Sequence, residues 1–413
     1  MRIAVLADFE GPHARRWLRV FIERGHDVHV ISYYAPAAAL PGATLHVLSA
    51  GRAPAAAAAP DEGSASGLRG RIPPSVARLL HAWRYRRAGL QRVVAEIAPD
   101  VFHAHYAVEH GFYGAFAGFH PYVVSAWGSD LLVASHKTPG RLVARYALGK
   151  ADLVTANDPS LAQRAVELGT PRDRVQVVRL GIDEAFFGTS PPGPLSASGE
   201  GGSEGESERG TGAGPDAMQT AEAAASTVIS DRALEPLYNV DVVLRAFARL
   251  REAVPEARLV VAHDGSERMR LEALAGSLAI GDAVQFIGRQ TPSELAAALR
   301  RSQVYVSVPD SDSFALSNLE AMASGCFPVV SDLPSVRGMI EDGVNGLLVR
   351  PGDVEGLASA LRRALSDAAL RQGAVVRNRA LAETEGRLER NMLVMERLYY
   401  RLAGRPVAGG EAI

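Results

Sequence analysis

Short apolar runs alternate with amphipathic helical patterns along most of this chain, and that alternation restricts the fold more than any other feature. The runs in the first half have the length and β-branched content of buried strands: IAVLAD, DVHVIS, TLHVL, DVFHAH, YVVSA, DLVTA and VQVV. Helical patterns separate most of them, for example at residues 12–24, 76–98 and 140–149. Strands that alternate with helices in this way predict a parallel sheet wrapped by helices.

The alternation stops at residues 188–226, a tract rich in Gly, Ser, Pro and Glu that almost lacks large apolar side chains. Such a tract cannot bury enough surface to offset the entropy lost on ordering, so we predict a flexible linker between two domains. An insertion inside one domain is the alternative. A second strand and helix series fills residues 227–385, so the sequence predicts an α/β protein with two doubly wound, Rossmann-like domains, at 1–187 and 227–385. Open sheets of this kind bind ligands at the carboxyl ends of their strands, which predicts a cleft between the domains.

The composition excludes several functional classes. With 47% hydrophobic and 22% charged residues the chain is an ordinary globular protein, and a net charge of −2 gives no reason to expect nucleic acid as a partner. A single cysteine, Cys326, excludes an internal disulfide framework and a cysteine-rich metal site. No apolar run approaches the ~18 residues that cross a bilayer. The first strand begins at Arg2 without the apolar core of a signal peptide, so we expect a cytoplasmic protein.

Residues 309–334, PDSDSFALSNLEAMASGCFPVVSDLP, carry the most chemical information. Two carboxylates, Asp312 and Glu320, stand eight positions apart, and a turn of small residues between them leads into a helix that begins near Leu316. The first backbone N–H groups of a helix lack partners within it and favour anions. Asp312, at a strand end, is able to accept sugar hydroxyls, and Glu320, one to two turns into the helix, the two hydroxyls of a ribose. The segment therefore predicts one loop that binds ribose, diphosphate and hexose in line.

This segment resembles the signature of glycosyltransferase family 4, in which Glu-x7-Glu precedes Ala-Met-Ala-x-Gly-x-Pro-Val; here Asp replaces the first Glu. Four other stretches agree: ERGHDVHV, VVRLGIDEAFF, HDGSERMRLEAL and DGVNGLLVRPGD. The resemblance implies the GT-B fold, with two domains facing a cleft, and a last helix within 386–413 that returns to the first domain before a tail. It also implies retaining, metal-independent transfer of a hexose-type sugar from a nucleoside diphosphate sugar to an acceptor hydroxyl. The product would be a polysaccharide or glycoconjugate.

Carried over position by position, the resemblance assigns candidate site residues to this chain. Those implied to act in catalysis are Asp312, Arg232 and His105. Those implied to bind the donor are Gly11, Pro12, His13, Arg232, Tyr238, His263, Gly265, Ser313, Phe314, Ala315, Leu316 and Glu320, and those on the acceptor side are Trp127 and Asp130.

Several of these positions depart from the family pattern. The diphosphate is normally bound by an Arg and a Lys, but the Lys position holds Tyr238 and the following Gly position holds Asn239. No lysine follows Lys150, so that charge is lost rather than misaligned. Trp127 occupies the place of a histidine, and His263 the place of a glycine. Tyr238 either donates one neutral hydrogen bond to the diphosphate or is a packed aromatic residue, and Arg232 carries the charge largely alone.

Alternatives remain open at this stage. His103 and His105 lie on one side of a strand, but no third ligand has a spacing suitable for a metal, and we predict none. Asp310-Ser311-Asp312 spells the Asp-x-Asp of GT-A enzymes, yet Asp312 is in frame with Glu320. The arginine-rich stretch 69–92 predicts either peripheral contact with the inner face of the membrane, suited to a lipid-linked acceptor, or a solvated helix. A degenerate, scaffold-like relative, or a GT-B epimerase or phosphorylase, is the alternative function.

Overall fold

A computed structural model describes residues 1–8, 12–34, 40–48, 87–133, 135, 138–188 and 226–406. The predicted linker, apart from its two end residues, and residues 69–86 of the arginine-rich stretch lie outside these ranges. Contacts divide the chain into two compact units. The first unit comprises Met1–Leu180 and Glu389–Ile413, and the second unit comprises Gly181–Leu388.

The first unit is built on a seven-stranded parallel sheet in the order β3-β2-β1-β4-β5-β6-β7. Its strands coincide with the predicted apolar runs and are buried except at the edge strands β3 and β7: β1 Arg2–Leu6, β2 Asp27–Ser32, β3 Ala43–Val47, β4 Val101–His105, β5 Tyr122–Ala126, β6 Leu153–Ala156 and β7 Val175–Val177. The longer helices around it are Pro12–Glu23, 87–97, Thr138–Lys150, Pro159–Glu167 and Leu388–Leu402. Short helical turns occupy Tyr106–His110, Gly111–Gly114, Ala115–Ala117, Ser129–Leu132 and Arg172–Arg174.

The second unit repeats this design with a six-stranded parallel sheet in the order β10-β9-β8-β11-β12-β13. The strands are β8 Thr227–Ser230, β9 Arg258–Val261, β10 Val284–Phe286, β11 Val304–Ser307, β12 Phe327–Ser331 and β13 Leu347–Val349. Its helices are Val240–Ala253, Arg268–Ser277, Pro292–Arg300, Leu316–Ser324, Val354–Ser366 and Ala368–Glu385, with short turns at Glu184–Phe186 and Pro236–Tyr238. In both sheets the strand order reverses beside the first strand, at the β1–β4 and β8–β11 pairs, which is where ligands bind in open α/β sheets.

The first unit ends at Leu180, whereas the sequence placed the boundary at residue 187. Residues 181–187 belong to the second unit: Ile182 pairs with Arg387, and the Arg300 guanidinium donates to the carbonyl of Ala185 at 2.9 Å. Gly181 is required for this contact, because its φ is +93° and a Cβ there would lie 2.6 Å from the Cα of Leu388.

The helix Leu388–Leu402 belongs to the first unit. Its Glu396 carboxylate accepts hydrogen bonds from Arg24 at 2.7 Å and His26 at 2.6 Å, and the hydroxyl of Tyr399 lies 2.6 Å from Nδ1 of His103. Within the residues that the structure describes, every helix is too short or too polar to span a bilayer.

Candidate functional site

Arg232 follows β8 at the carboxyl edge of the second unit's sheet, and three side chains surround it. Its Nη1 donates to Oγ of Ser317 at 2.6 Å, and its Nη2 donates to Oδ2 of Asp312 at 2.8 Å. Its Cζ lies 4.3 Å from the ring centroid of Tyr238. The structure thus brings together Arg232, Asp312 and Tyr238, which the resemblance placed in one site, and adds Ser317.

The Arg232 guanidinium keeps its charge in this enclosed position. The side chains of Arg232 and Asp312 are 10% and 17% exposed. Burial alone would lower the pKa of Arg232, but the charge of Asp312 and the nearby Tyr305, Tyr238 and Asp231 together hold it above its ordinary value. The group is therefore a fixed cation next to a carboxylate, with low exposure to competing water.

A buried pair lies beside this cation. The hydroxyl of Tyr305, on β11, donates to Oδ1 of Asp231 at 2.8 Å, and Tyr305 is fully buried. Burial raises the pKa of Asp231, and the charge of Arg232 opposes that rise. Sequence reasoning missed Asp231, Tyr305 and Ser317; the position of Asp231 next to Arg232, at a strand end, is the signal that would have singled it out.

The loop from Asp312 to the helix Leu316–Ser324 is fixed by its own backbone. The amide of Ser313 donates to Oδ1 of Asp312 at 2.9 Å, and the hydroxyl of Ser335 donates to the carbonyl of Asp312 at 2.7 Å. Ser313, Phe314 and Ala315 are buried, and no side chain caps the helix that begins at Leu316. Its first amides are therefore suited to an anion, as the sequence predicted. Glu320, on the same helix, is 7% exposed.

The turn that carries Tyr238 explains why asparagine replaces the family's glycine at the next position. Asn239 has φ +50° and ψ +41°, a left-handed conformation that asparagine adopts more readily than other residues with side chains. Its side-chain nitrogen, Nδ2, donates to the carbonyl of Val308 at 3.1 Å and to Oδ1 of Asp310 at 2.7 Å. Asn239 thus fixes the turn to the loop that follows β11.

His263 and Gly265 lie in the loop after β9. The amide of Asp264 donates to Nδ1 of His263 at 2.8 Å, so the neighbouring backbone holds the half-buried ring. A Cβ on Gly265 would lie 2.6 Å from the carbonyl carbon of Leu234, so only glycine allows this loop to approach the chain that follows Arg232.

In the first unit, an aromatic cluster lies at the carboxyl edge of the sheet. The ring of Trp127 stacks with that of His13 at a centroid distance of 5.6 Å and with that of Tyr106 at 6.1 Å, and it lies 5.0 Å from the ring of His105. Tyr106 has φ +65°, an uncommon conformation for a residue with a side chain. Of the predicted Gly11-Pro12-His13 turn, Gly11 lies outside the described residues, Pro12 begins the helix Pro12–Glu23, and His13 contacts Trp127.

The structure disfavours a proton-transfer role for His105. The side chain is 1% exposed, packed against Trp17, Trp127 and His103. Burial lowers its pKa well below the ordinary value, so the ring is neutral at physiological pH. Its neighbour His103 is also buried, with its pKa lowered to about 3. We therefore correct the sequence-based interpretation that His105 faces the ligand.

Asp130 also has a different position from the one expected on the acceptor side. It is 5% exposed, and its carboxylate accepts backbone hydrogen bonds from Ala107 at 2.8 Å, Gly128 at 2.9 Å and Trp127 at 3.2 Å. The carboxylate is therefore engaged with the two loops that carry Tyr106 and Trp127. Asp130 thus joins these two loops to each other.

In the part of the chain that the structure describes, no group of three or more His, Cys, Asp or Glu side chains is arranged to hold a metal ion. The carboxylates of the Asp-x-Asp sequence are both engaged with protein groups, Asp310 with Asn239 and Asp312 with Arg232.

Comparison with known proteins matches both halves of the chain. Residues 222–380 match the family described as Glycosyl transferases group 1, and residues 2–158 match the family described as Glycosyl transferase 4-like. A D-inositol 3-phosphate glycosyltransferase from Actinosynnema mirum is 30% identical over 300 residues, which is 67% of this chain and 67% of that protein. An N-acetyl-alpha-D-glucosaminyl L-malate synthase from Bacillus anthracis is 27% identical over 316 residues, 74% of this chain and 77% of that protein.

Some curated relatives extend well beyond the matched part. The chain spans 64% of the length of a D-inositol 3-phosphate glycosyltransferase from Stackebrandtia nassauensis, with 31% identity over 304 residues and 68% of this chain covered.

Solved structures share the fold at low sequence identity. HepE of Anabaena in complex with UDP has a TM-score of 0.71 and 17% identity, covering 97% of this chain and 100% of that one. Sucrose-phosphate synthase from Thermosynechococcus elongatus has a TM-score of 0.71 and 18% identity, covering 98% and 100%. The predicted fold class, an α/β protein with two Rossmann-like parallel sheets of the GT-B type, is confirmed.

Proposed function

We propose that this chain, which belongs to the group 1 family of GT-B glycosyltransferases, transfers a hexose-type sugar from a nucleoside diphosphate sugar to an acceptor hydroxyl. The anomeric configuration of the sugar would be retained. HepE, whose fold this chain shares, has been solved in complex with UDP and with UDP-glucose, which supports a donor of this class.

The observation that carries the proposal is the position of Arg232. The Arg232 guanidinium, held by Asp312 and Ser317, lies next to the first turn of the helix Leu316–Ser324, which has no side-chain cap. A fixed cation beside the uncapped N-terminus of a helix suits a diphosphate better than a neutral ligand, because both favour negative charge. The same groups would stabilise the charge that develops on the leaving diphosphate in the transition state.

The chemical step would be a front-face transfer. The bond from the anomeric carbon to the diphosphate oxygen breaks, and a bond from that carbon to the acceptor oxygen forms on the same face. The proton of the acceptor hydroxyl goes to a phosphate oxygen of the leaving group, so the protein need supply no nucleophile. The contacts of Asp312 support a step without a protein nucleophile. Both of its carboxylate oxygens already accept hydrogen bonds, one from Arg232 and one from the amide of Ser313.

The remaining sequence-based assignments enter as parts of this proposal. Glu320 would accept the ribose hydroxyls, and Gly265 would let the loop after β9 approach the nucleotide. His13 would bind the donor, and Trp127 would lie on the acceptor side, where its ring would pack against the apolar face of a sugar. His105, being buried and neutral, would support Trp127 rather than exchange protons.

The acceptor and the cellular setting are also proposals. We propose a saccharide or lipid-linked acceptor, metal-independent chemistry, and a place in polysaccharide or glycoconjugate synthesis on the cytoplasmic side of the membrane. Arg87 and Arg92 of the arginine-rich stretch are exposed, consistent with peripheral contact through this region.

A thermal-shift screen tests the donor assignment. UDP-, GDP-, ADP- and dTDP-sugars are added at millimolar concentration, and the correct class should raise the melting temperature by mass action. The Arg232→Ala variant should lose that shift together with transfer activity. Arg245→Ala, which removes an exposed arginine from the helix Val240–Ala253 of the same unit, should keep both.

The outcomes separate the proposal from its alternative. Absence of a shift with every donor would contradict the transferase proposal. Nucleotide binding without transfer or donor hydrolysis would indicate a degenerate binding protein, the alternative that the loss of the family's lysine suggests. Loss of activity in Arg245→Ala as well would show that the effect is not specific to the site.

A further inference from the structure

The ring of Tyr238 covers one face of the Arg232 guanidinium, with the Cζ atom 4.3 Å from the ring centroid. Ser317 and Asp312 accept hydrogen bonds of 2.6 and 2.8 Å from two nitrogens of the same guanidinium, Nη1 and Nη2. A guanidinium has five N–H donors, and these two contacts engage two of them among the described residues. The arginine is thus held on three sides while donors remain for a ligand.

Tyr238 is itself held rigidly. Its amide donates to the carbonyl of Glu235 at 3.0 Å in the turn Pro236–Tyr238, and the left-handed Asn239 follows. The side chain packs against the hydrophobic core of the second unit. The turn and the core thus anchor the ring, which offers the guanidinium a flat surface to stack on.

Stacking of this kind is strongest where water is excluded, and Arg232 has a side chain only 10% exposed. Arginine suits the contact because its planar group is weakly hydrated and stacks on aromatic faces. A second cation in the place of Tyr238 would repel Arg232, whereas the negative face of the ring attracts it.

We propose that Tyr238 is a positioning residue that holds Arg232 by ring stacking, so that a single arginine meets the diphosphate without a partner lysine. This inference rests on the proposed function. In this role Tyr238 does not bind the diphosphate through its hydroxyl. The ring acts on the ligand only through Arg232, so the hydroxyl is dispensable.

The test compares Tyr238→Phe, which keeps the ring, with Tyr238→Leu, which removes it. Binding is measured for the nucleoside diphosphate that the donor screen selects and for its monophosphate, together with kcat and KM for the donor. Tyr238→Phe should bind the diphosphate within about threefold of the wild type. Tyr238→Leu should weaken binding by about tenfold, lower kcat as well, and reduce the ratio of diphosphate to monophosphate affinity. Leu237→Ala, in the same turn with a half-exposed side chain, is the matched control.

Two results would overturn the inference. If Tyr238→Phe loses as much affinity as Tyr238→Leu, the phenol hydroxyl binds the ligand directly. If Tyr238→Leu binds the diphosphate as well as the wild type does, the ring only packs against the core and does not position Arg232 for the ligand.

A double-mutant cycle distinguishes these failures from failure of the proposed function. The unfolding equilibrium of Arg232→Ala, Tyr238→Leu and the double variant is measured without ligand, and the stacking should appear as a coupling of about fivefold in the unfolding constant. A wild type that binds no nucleotide but shows this coupling would refute the function and leave the contact established. Absence of coupling would refute the contact itself.

Discussion

Replacing Glu396 with glutamine should destabilise the protein more than any other charge-removing change on its helix. Glu396 lies on Leu388–Leu402, and its side chain is 7% exposed. It accepts hydrogen bonds from Arg24 Nη2 at 2.7 Å and Nε at 3.1 Å, and from His26 Nε2 at 2.6 Å. These contacts join the last long helix of the first unit to the end of its first helix.

The size of the effect follows from burial. Hydrogen bonds to charged groups contribute about 1.5–3 kcal/mol each, but Arg24 is 42% exposed, so solvent screens part of its attraction. Glutamine keeps the shape and one acceptor and leaves a cation without its partner. We expect the free energy of unfolding to fall by about 2–3 kcal/mol, or about 4–12 °C in the melting temperature for a unit of this size.

The pH dependence gives a second signature. Burial alone would raise the pKa of Glu396, but the hydrogen bonds from Arg24 and His26 hold it below the ordinary value of 4.5. In acid the unfolded chain therefore takes up this proton first, so the stability that Glu396 contributes is complete above pH 4.5 and is lost as the pH falls further.

Urea unfolding of the wild type and Glu396→Gln between pH 3.5 and 7.5 measures both effects, and Glu389→Gln, an exposed glutamate on the same helix, is the control. The control should stay within about 0.5 kcal/mol of the wild type. A Glu396→Gln variant equally close to the wild type would refute the reasoning. So would a difference that is the same at pH 3.5 and pH 7.

Three further predictions concern other buried positions. Gly181→Ala should lower the free energy of unfolding by about 2–4 kcal/mol, because φ is +93° and the new Cβ would meet Leu388, whereas Gly276→Ala, with open space around it, should be neutral or stabilising in the same urea titration. Cys326, the chain's one cysteine, is buried with its pKa raised by desolvation, so a thiol reagent should label it only after unfolding; rapid labelling of the native protein would contradict its position. His103, with its pKa lowered to about 3 by burial, should show no NMR titration between pH 5 and 8. Because the same histidine takes up a proton near pH 6.5 in the unfolded chain, the free energy of unfolding should fall by up to about 1.4 kcal/mol for each pH unit below 6.5.

The sheets could be predicted from sequence because their strands are nearly continuous apolar runs. β2 and β5 have the bounds that the runs DVHVIS and YVVSA predicted, and β4 follows DVFHAH closely. The helix Ala368–Glu385 is harder to recognise from the sequence. Its buried residues include Ala374, Asn378 and Ala382, which are small or polar, so the helix presents little apolar periodicity to recognise.

The sequence predicted those site residues that stand at a fixed spacing along the chain. It did not predict those that the fold brings together from different elements. The spacing of Asp312 and Glu320 predicted a strand end followed by a helix, and the structure has both: Asp312 contacts Arg232, and Glu320 is buried on the helix Leu316–Ser324. Ser317 and Tyr305 give no signal of their own, because their role comes from the fold that brings them to Arg232. The same limit explains the correction of His105, whose burial depends on Trp17 and Trp127 from other elements.

The position of Leu388–Leu402 in the first unit has a consequence for synthesis of the chain on the ribosome. Tyr399 covers Phe21 and His103, yet it is translated after the whole second unit, about 200 residues later. At about 5–20 residues per second, the nascent first unit waits roughly 10–40 s for its last helix. During that interval an apolar face around Phe21 and Trp17 is uncovered, so the emerging chain has a surface for chaperones that the finished protein lacks.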